Sequence, residues 1–316
     1  MSLIRLLPLL AGLVILTACS TSSQVVRLTE ASPARFPLNV MLDEVPFYPQ
    51  DAYQCGPAAL ATALQHSNVK TSVDELVTSV YIPARRGSLQ LEMLAATRRE
   101  GRIPYMIEPS LEALISEVSG GSPVLVFQNL GLEWLPQWHY AVVVGFDLEA
   151  RTITLRSGTI KDYRINLSLF EKTWRRTGNW GFVVLAPGEL PADSTPLHYL
   201  EAVLPLETAA DPAIAITSYQ AAIRHWPDTP LFRVALGNFY YQSGSLELAR
   251  IEYESLTNQH PQFADGHNNL AQVLLELGQG PLATAHARKA VSLGGPRAAT
   301  YRKTLNEILS MTESPL

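Results

Sequence analysis

One stretch of the chain decides the fold of its first half, and it reads Tyr53-Gln54-Cys55-Gly56-Pro57-Ala58-Ala59-Leu60. Proline suits the first turn of a helix, where its missing N–H would have no partner in any case. The stretch therefore predicts a helix over 57–66, with Cys55 beside its N-terminus. Unpaired amides and the helix dipole at that end favour negative charge, so the sequence predicts a lowered thiol pKa for Cys55.

The second of the two cysteines lies near the N-terminus of the 316-residue chain. Residues 1–16 carry one positive charge and an apolar stretch too short for a comfortable membrane span, and Leu16-Thr17-Ala18-Cys19-Ser20 follow directly. This pattern resembles the bacterial lipoprotein signal box, which implies that Cys19 is diacylated and becomes the first mature residue. Ser20, directly after the cysteine, resembles the pattern that sorts lipoproteins to the outer membrane. The protein would then face the periplasm. An ordinary signal peptide or an uncleaved anchor is the alternative.

Lipidation of Cys19 would leave Cys55 without a disulfide partner, although the compartment would permit one. An unpaired thiol in an oxidising compartment is a liability that a purely structural role does not require. The cysteine count therefore favours a chemical role for Cys55.

Composition and motifs exclude several classes of protein. The net charge is −5 and there is no basic run, so nucleic acid is not an expected partner. The chain contains no HExxH, no paired CxxC, no GxSxG and no phosphate-binding glycine loop. We therefore expect neither a metal nor another cofactor.

Hydrophobic periodicity divides the chain into four segments: a signal peptide over 1–18, a flexible tether over 19–40, a globular domain over 41–188 and a helical region over 196–312. In the globular domain, helices are predicted first and strands afterwards, which indicates an α+β fold with an antiparallel sheet. The predicted helices cover 57–66, 72–80 and 88–100. The predicted strands cover 103–107, 124–127, 139–146, 152–156 and 181–185.

The C-terminal region repeats at a period of 34 residues, with small and aromatic residues at matching positions. The corresponding sets are Ala215, Ala249 and Ala283; Tyr219, Tyr253 and Ala287; Ala222, Leu256 and Ala290; and Pro227, Pro261 and Gly295. This pattern resembles the tetratricopeptide repeat, an all-α architecture that binds proteins or peptides. We count about three repeats and a closing helix near 301–309, with Pro205 interrupting the first repeat.

His139 begins the apolar run His139-Tyr140-Ala141-Val142-Val143 and is the candidate base for the thiol. The stretch around Cys55, with Gln50 upstream, and this run together resemble the bacteriocin-processing, double-glycine family of papain-like cysteine peptidases. The resemblance covers about residues 44–187. It implies a papain-like α+β fold in which Cys55 is the nucleophile and His139 the general acid and base.

The resemblance also implies an oxyanion donor and a third catalytic residue. Gln50 is the preferred donor and Gln54 a weaker one, although the family pattern places the glutamine about one residue upstream of Gln50. The family usually carries an aspartate on the strand after the histidine, whereas this chain has Ser157 near that position. Asp162 in the following segment is the other candidate. Arg156, nearby, could contact a substrate carboxylate.

The sequence thus favours a lipid-anchored cysteine peptidase that hydrolyses peptide bonds through a thioester at Cys55. The repeats would recruit a protein substrate or partner. Because the orienting aspartate is missing, the alternative is a degenerate peptidase-like scaffold that acts in protein–protein binding. Acyl transfer to an amine through the same thiol is a third hypothesis.

Overall fold

The structure is a computed structural model that describes residues 23–28, 35–49 and 54–312. The predicted signal segment 1–18, Cys19 and Gln50 lie outside the described residues. The contacts between Cα atoms divide the chain into two compact units. The first contains residues up to Glu100, Pro104–Val184 and Pro191–Asp193, and the second contains Gly101–Ile103, Leu185–Leu190 and the chain from Ser194 onward.

The first unit combines helices with one large sheet. Its helices are α1 Ser23–Val26, α2 Cys55–His66, α3 Val73–Val80, α4 Gln90–Arg99, α5 Leu111–Ser119 and α6 Leu167–Arg175, with a 3₁₀ turn at Pro83–Arg85. Its strands are β1 Asn39–Met41, β2 Tyr81–Ile82, β3 Gly87–Ser88, β4 Ile103–Met106, β5 Val124–Asn129, β6 Trp138–Asp147, β7 Thr152–Ser157, β8 Ile160–Asn166 and β9 Gly181–Leu185.

Seven of these strands form one sheet in the order β4-β9-β5-β6-β7-β8, with β1 paired to β6. The pairs β1–β6, β5–β6, β5–β9, β6–β7 and β7–β8 are antiparallel. Helices α2 to α4 precede most of the sheet in the chain. The predicted α+β fold with an antiparallel sheet is therefore confirmed.

A hydrophobic core packs α2, α3 and α4 against the sheet. Helix α2 contributes buried alanines and leucines to this core. Strand β6 contributes every second residue: Tyr140, Val142 and Val144. Helix α3 begins with a capping box, because Ser72 Oγ accepts the N–H of Glu75 at 3.3 Å and the Ser72 N–H donates to Glu75 Oε2 at 2.8 Å. The core contacts between α2 and β6 hold these two elements together.

Two segments differ from the sequence-based expectation. Within the range 19–40 predicted to be a flexible tether, α1 is packed: Val25 and Leu28 are fully buried, and Gln24 Oε1 accepts the N–H of Leu111 at 2.8 Å. Apolar burial and this hydrogen bond explain the order. The helix predicted over 88–100 begins at Gln90 instead, because β3 pairs with β2.

The second unit is helical throughout its described length beyond Pro196. Its helices are α7 Pro196–Val203, α8 Leu206–Ala209, α9 Pro212–His225, α10 Leu231–Gln242, α11 Leu246–Gln259, α12 Ala264–Glu276, α13 Gly280–Leu293 and α14 Ala298–Thr312. Consecutive helices from α9 to α14 contact one another, as stacked helix pairs do. The interruption predicted at Pro205 falls between α7 and α8. None of the described helices in either unit combines the length and apolar character that a membrane span needs.

The residues at the 34-residue period form the core of this unit. All nine matched alanine, tyrosine and leucine positions in α9, α11 and α13 are buried. Small residues there let neighbouring helices approach closely. Gly237 of α10 shows how closely, since a Cβ on it would lie 2.5 Å from Tyr253 Cε1 in α11.

Gly237→Ala should therefore destabilise the repeats. Pushing the Tyr253 ring aside in a packed core costs about 1–3 kcal/mol, which outweighs the gain of about 1 kcal/mol from the better helix propensity of alanine. Urea unfolding of the full chain measures the change. Gly266→Ala in α12 is the control, because its Cβ would meet the movable tip of Leu256 at 3.0 Å and should cost less. Equal or greater stability of Gly237→Ala would contradict this packing argument.

Two histidines face each other in the repeats. His267 Nδ1 lies 3.0 Å from His286 Nδ1, and His267 Nε2 lies 3.1 Å from Pro261 O. A carbonyl only accepts, so His267 carries its hydrogen on Nε2 and His286 donates from Nδ1. Burial is the main cause that lowers the pKa of both rings. The Lys289 charge also lowers the pKa of His267, and the Glu254 charge partly opposes the lowering at His286.

We expect this pair to make the repeats less stable in acid. The pKa of both rings is lowered in the folded chain, so below the usual histidine value near 6.5 the unfolded chain binds more protons. The free energy of unfolding that the repeats have above this pKa therefore decreases as the pH falls below it. Urea unfolding at pH 7.5 and 5.5 should show a loss that His267→Gln and His286→Gln together reduce, whereas the control His225→Gln leaves it in place. An unchanged loss in the double variant would contradict the assignment.

Candidate active site

Cys55 is the first residue of α2, so the helix begins two residues before its predicted start at Pro57. The carbonyl of Gln54 accepts the first helical hydrogen bond, from the N–H of Ala58 at 3.2 Å. Gly56 is buried against the β2–β3 hairpin, so a Cβ on it would lie 2.7 Å from Ser88 Cβ and would collide with Ser88 Oγ. Glycine is therefore required beside the thiol for α2 to meet this hairpin.

Burial dominates the electrostatics of the thiol. It raises the pKa of Cys55, and hydrogen bonds from the backbone N–H groups of Tyr140, Gly56 and Cys55 itself oppose the increase only in part. The lowered pKa expected from the helix terminus is thus wrong in its net direction. The helix N-terminus does supply two of the three amides, but desolvation of the sulfur outweighs them.

His139 is the second residue of β6, and its partner is Ser157 on β7. The distance from His139 Nε2 to Ser157 Oγ is 2.8 Å. Antiparallel pairing causes this approach, since Val142 pairs with Arg156 and the next residue of β7 lies beside the beginning of β6. Of the two candidates for the third catalytic position, the structure brings Ser157 to the histidine.

Burial lowers the pKa of His139. Because the Cys55 thiol has a raised pKa, both groups are neutral near pH 7, and a neutral imidazole can act as a base. For Nδ1 to accept a proton, Nε2 must carry the hydrogen and donate it to Ser157 Oγ. The arrangement therefore suits general-base activation of a thiol better than a preformed thiolate–imidazolium pair.

No hydrogen bond joins Cys55 Sγ to the His139 ring among the described residues. The sulfur instead contacts the amide of Tyr140, the residue that follows His139 in β6. This contact places the thiol against β6 at the residue that directly follows the histidine. Catalytic hydrogen bonds are commonly long before substrate binds and tighten in the complex.

Asp162 is occupied elsewhere. It is half exposed on β8 and forms an ion pair with Arg156. The Arg156 guanidinium is buried and also donates to Val45 O at 3.2 Å and Lys161 O at 2.9 Å. Asp162 is thus not the partner of His139. The expectation that Arg156 contacts a substrate carboxylate is also wrong, because the N–H groups of its guanidinium already donate to backbone carbonyls and to Asp162.

Gln54 precedes the nucleophile and is half-buried, and its side chain makes no capping hydrogen bond to α2. It remains available to a ligand near Cys55. The preferred donor, Gln50, stays a prediction because it is not among the described residues.

An aromatic cluster lies beside the start of β6. Phe127 stacks on Trp138 with ring centroids 5.5 Å apart and contacts the Tyr140 ring at 4.5 Å, and the Trp180 ring lies 6.0 Å from Tyr140. Cys55 packs against the same core. Burial against this core raises the pKa of the thiol.

Two further residues lie next to the nucleophile and were not predicted from the sequence. Tyr140 supplies a backbone amide to the sulfur and donates its hydroxyl to Ser88 O at 3.2 Å. Ser88 Oγ is buried without a hydrogen-bond partner among the described residues. The position of Tyr140 directly after His139 is the one sequence signal that pointed to it.

Comparison with known proteins agrees with this arrangement. Residues 42–182 match the model of the peptidase C39 like family, and residues 206–262 match a tetratricopeptide repeat. A search of curated proteins found no matching relative.

Three solved structures resemble parts of the chain. A C39-like peptidase from Bacillus anthracis, reported as a provisional assignment, is 18% identical, covers 46% of this chain and 97% of its own, and has a TM-score of 0.39. A double glycine motif protease from an AMS/PCAT transporter, solved with the leader peptide, is 21% identical, covers 47% and 98%, and has a TM-score of 0.36. MamA is 16% identical, covers 36% and 68%, and has a TM-score of 0.31.

The first half of the chain thus has the helix, strand and sheet arrangement expected from the stretch around Cys55, and the second half has the expected repeats. Residues 42–182 thus form a domain similar to the peptidase C39 like family, and tetratricopeptide repeats follow it in the chain.

Proposed function

We propose that the protein is a cysteine-type peptidase in which Cys55 attacks a peptide carbonyl. Support comes from the position of the thiol, on the first residue of α2 and against the amide that follows His139. At this position the nucleophile contacts backbone N–H donors, and one of these donors belongs to the residue that directly follows the neutral imidazole in β6. The match of residues 42–182 to the peptidase C39 like family supports the same chemistry.

In the proposed reaction, His139 accepts the thiol proton as the sulfur forms a bond to the carbonyl carbon. The oxyanion is stabilised by the amide group of Gln50 or Gln54, a contribution of roughly 3 kcal/mol for one such donor. The imidazolium then donates its proton to the leaving amine, and the C–N bond breaks to leave a thioester. Water hydrolyses the thioester and returns the free thiol.

Ser157 orients the base in this proposal. Its hydroxyl accepts the Nε2 hydrogen of His139 but cannot offset the positive charge that the ring gains. We therefore expect a slower enzyme than one with a carboxylate in that place.

The repeats and the N-terminus complete the proposed function. Stacked helix pairs of this kind bind proteins or peptides, so we infer that α9 to α14 recruit the substrate or a protein partner. The signal-like segment and Cys19 support a lipid-anchored protein of the bacterial cell envelope, on the outer membrane and facing the periplasm.

The second candidate is a catalytically inactive scaffold that binds proteins through the repeats. Two observations favour it: the serine in place of a carboxylate beside His139, and a pKa of Cys55 raised by burial. A scaffold would keep the fold and lose the reactivity of the thiol.

Alkylation of Cys55 separates the two candidates. The full chain would be treated with iodoacetamide from pH 5 to about pH 10.5, with labelling at Cys55 measured by mass spectrometry. The peptidase requires labelling near neutral pH that His139→Ala slows and that falls in acid, below the usual histidine pKa near 6.5, because the base must be neutral. Asp162→Ala is the control and should have little effect. Labelling that rises only above pH 9 and ignores His139 would support the scaffold.

A further inference from the structure

The hairpin between β5 and β6 exposes a cluster of large apolar side chains immediately before His139. Trp134 is 79% exposed, Leu135 59% and Trp138 56%. Leu130 and Leu132 are exposed on the same loop. Exposed apolar groups are normal when scattered, but a contiguous group including two tryptophans marks an interaction surface.

This hairpin is held rigidly in its exposed position. Asn129 Oδ1 accepts the N–H groups of Gly131 at 3.0 Å and Gln137 at 2.9 Å, which closes the loop at its base. Leu132 and Leu135 exchange two backbone hydrogen bonds of 3.1 Å at its tip. The side chains therefore stay in water because the backbone is fixed there, and the tip has no core within the described residues to enter.

Arg176 ties the hairpin to the adjacent helix α6. Its guanidinium donates to the carbonyls of Asn129 and Gly131. A groove of about 430 Å³ runs between hairpin and helix, and its lining includes Leu132, Leu169 and Lys172. Hairpin and helix thus present one continuous surface.

Basic side chains lie on the α6 side of this surface. Lys172 is exposed, the side chain of Arg175 is 62% exposed, and Leu169 lies one turn before Lys172. The hairpin contributes a single acidic residue, Glu133, and Arg175 pairs loosely with Glu171 at 3.8 Å. This surface is basic although the whole chain has a net charge of −5.

We propose that the β5–β6 hairpin and the adjoining face of α6 dock on an anionic lipid surface. Tryptophan and leucine enter the boundary between headgroups and acyl chains, where amphipathic rings are favoured. Lys172 and Arg175 meet the lipid phosphates, a contribution of about 1 kcal/mol for each basic residue near the surface. The hairpin leads directly into β6, so docking holds His139 and Cys55 close to the membrane.

This contact involves the folded domain and does not depend on the lipid proposed at Cys19. It also does not depend on the thiol chemistry. Its consequence for the enzyme is that substrates are polypeptide segments near a membrane surface.

Quenching of tryptophan fluorescence by brominated acyl chains tests the proposal. The full chain is reconstituted with vesicles of phosphatidylcholine alone or mixed with phosphatidylglycerol, with and without bromine on the acyl chains. Any N-terminal anchor is common to all variants, whereas the hairpin tryptophans report their own depth. We expect quenching in the wild type that increases with phosphatidylglycerol, and loss of most of it in Trp134→Phe.

Two double variants make the test specific. Leu132→Ser with Leu135→Ser should reduce quenching, and Lys172→Glu with Arg175→Glu should remove its dependence on phosphatidylglycerol. Leu248→Ser with Ile251→Ser is the matched control, because these residues are 46% and 48% exposed on the repeats. Cys55→Ala should quench like the wild type, which separates this proposal from the proposed peptidase activity.

Absence of quenching in the wild type, or equal quenching in all variants, would overturn the proposal. A different result would assign the surface to a peptide instead: if Leu132→Ser with Leu135→Ser lowered peptide turnover in solution while quenching stayed unchanged, the hairpin would bind substrate and not lipid.

Discussion

Cys55→Ala is expected to lower peptide turnover by at least about 10³-fold, because the reaction proposed for this site has no other nucleophile. The measurement is mass-spectrometric cleavage of a defined peptide mixture by the full chain at pH 7.5. His139→Ala should lose a comparable factor, and the double variant should lose little more, since nucleophile and base act as one unit.

Variants of the two glutamines serve as graded controls. Removing one oxyanion donor costs about 10²–10³-fold, so the glutamine that carries this role should show that loss on replacement by alanine and the other should not. We expect the loss in Gln50→Ala. If the wild type and Cys55→Ala cleave no peptide at all, the proposed activity is refuted and the scaffold function stands.

Ser157→Asp is expected to raise turnover by between about 10- and 10³-fold. The Ser157 oxygen lies 2.8 Å from His139 Nε2, so a carboxylate placed there would accept the same hydrogen and stabilise the imidazolium. In enzymes with a complete triad, loss of the orienting carboxylate costs about 10⁴-fold, and a substituted residue should recover part of that factor.

The pH profile distinguishes this effect from a general improvement of the fold. A carboxylate raises the pKa of His139, which burial now lowers, so the acid limb of kcat/KM should move to higher pH in Ser157→Asp. Ser157→Asn, similar in size but uncharged, should leave the limb in place. Turnover at or below the wild-type level in a folded Ser157→Asp would show that His139 is not the base.

Local signals were sufficient for several elements of the fold. The glycine–proline turn after Cys55 predicted the start of α2 to within two residues, and the helix predicted over 72–80 agrees with α3 and its cap at Ser72. The 34-residue period predicted which residues of the repeats are buried. These features could be predicted because caps and periodic burial depend on residues close in sequence.

Other elements were not predicted from the sequence. Strand β8 was not predicted: it lies at the edge of the sheet, and all its side chains but Ile165 are exposed, so no apolar alternation marks it. Helices α5 and α6 are short, and their amphipathic patterns lie between stronger strand patterns. Edge strands and short helices depend mainly on their neighbours for stability, and the neighbours cannot be identified from one segment.

The amino-acid sequence by itself determined that Cys55 opens a helix, that His139 starts a strand and that repeats follow the first domain. Tertiary structure alone decided that Ser157 meets the histidine, that Asp162 pairs with Arg156, and that burial raises the pKa of the thiol. The first group depends on propensity, caps and periodicity, which operate within a few residues. The second depends on the register between strands and on the core packed against Cys55, which join residues far apart in the chain.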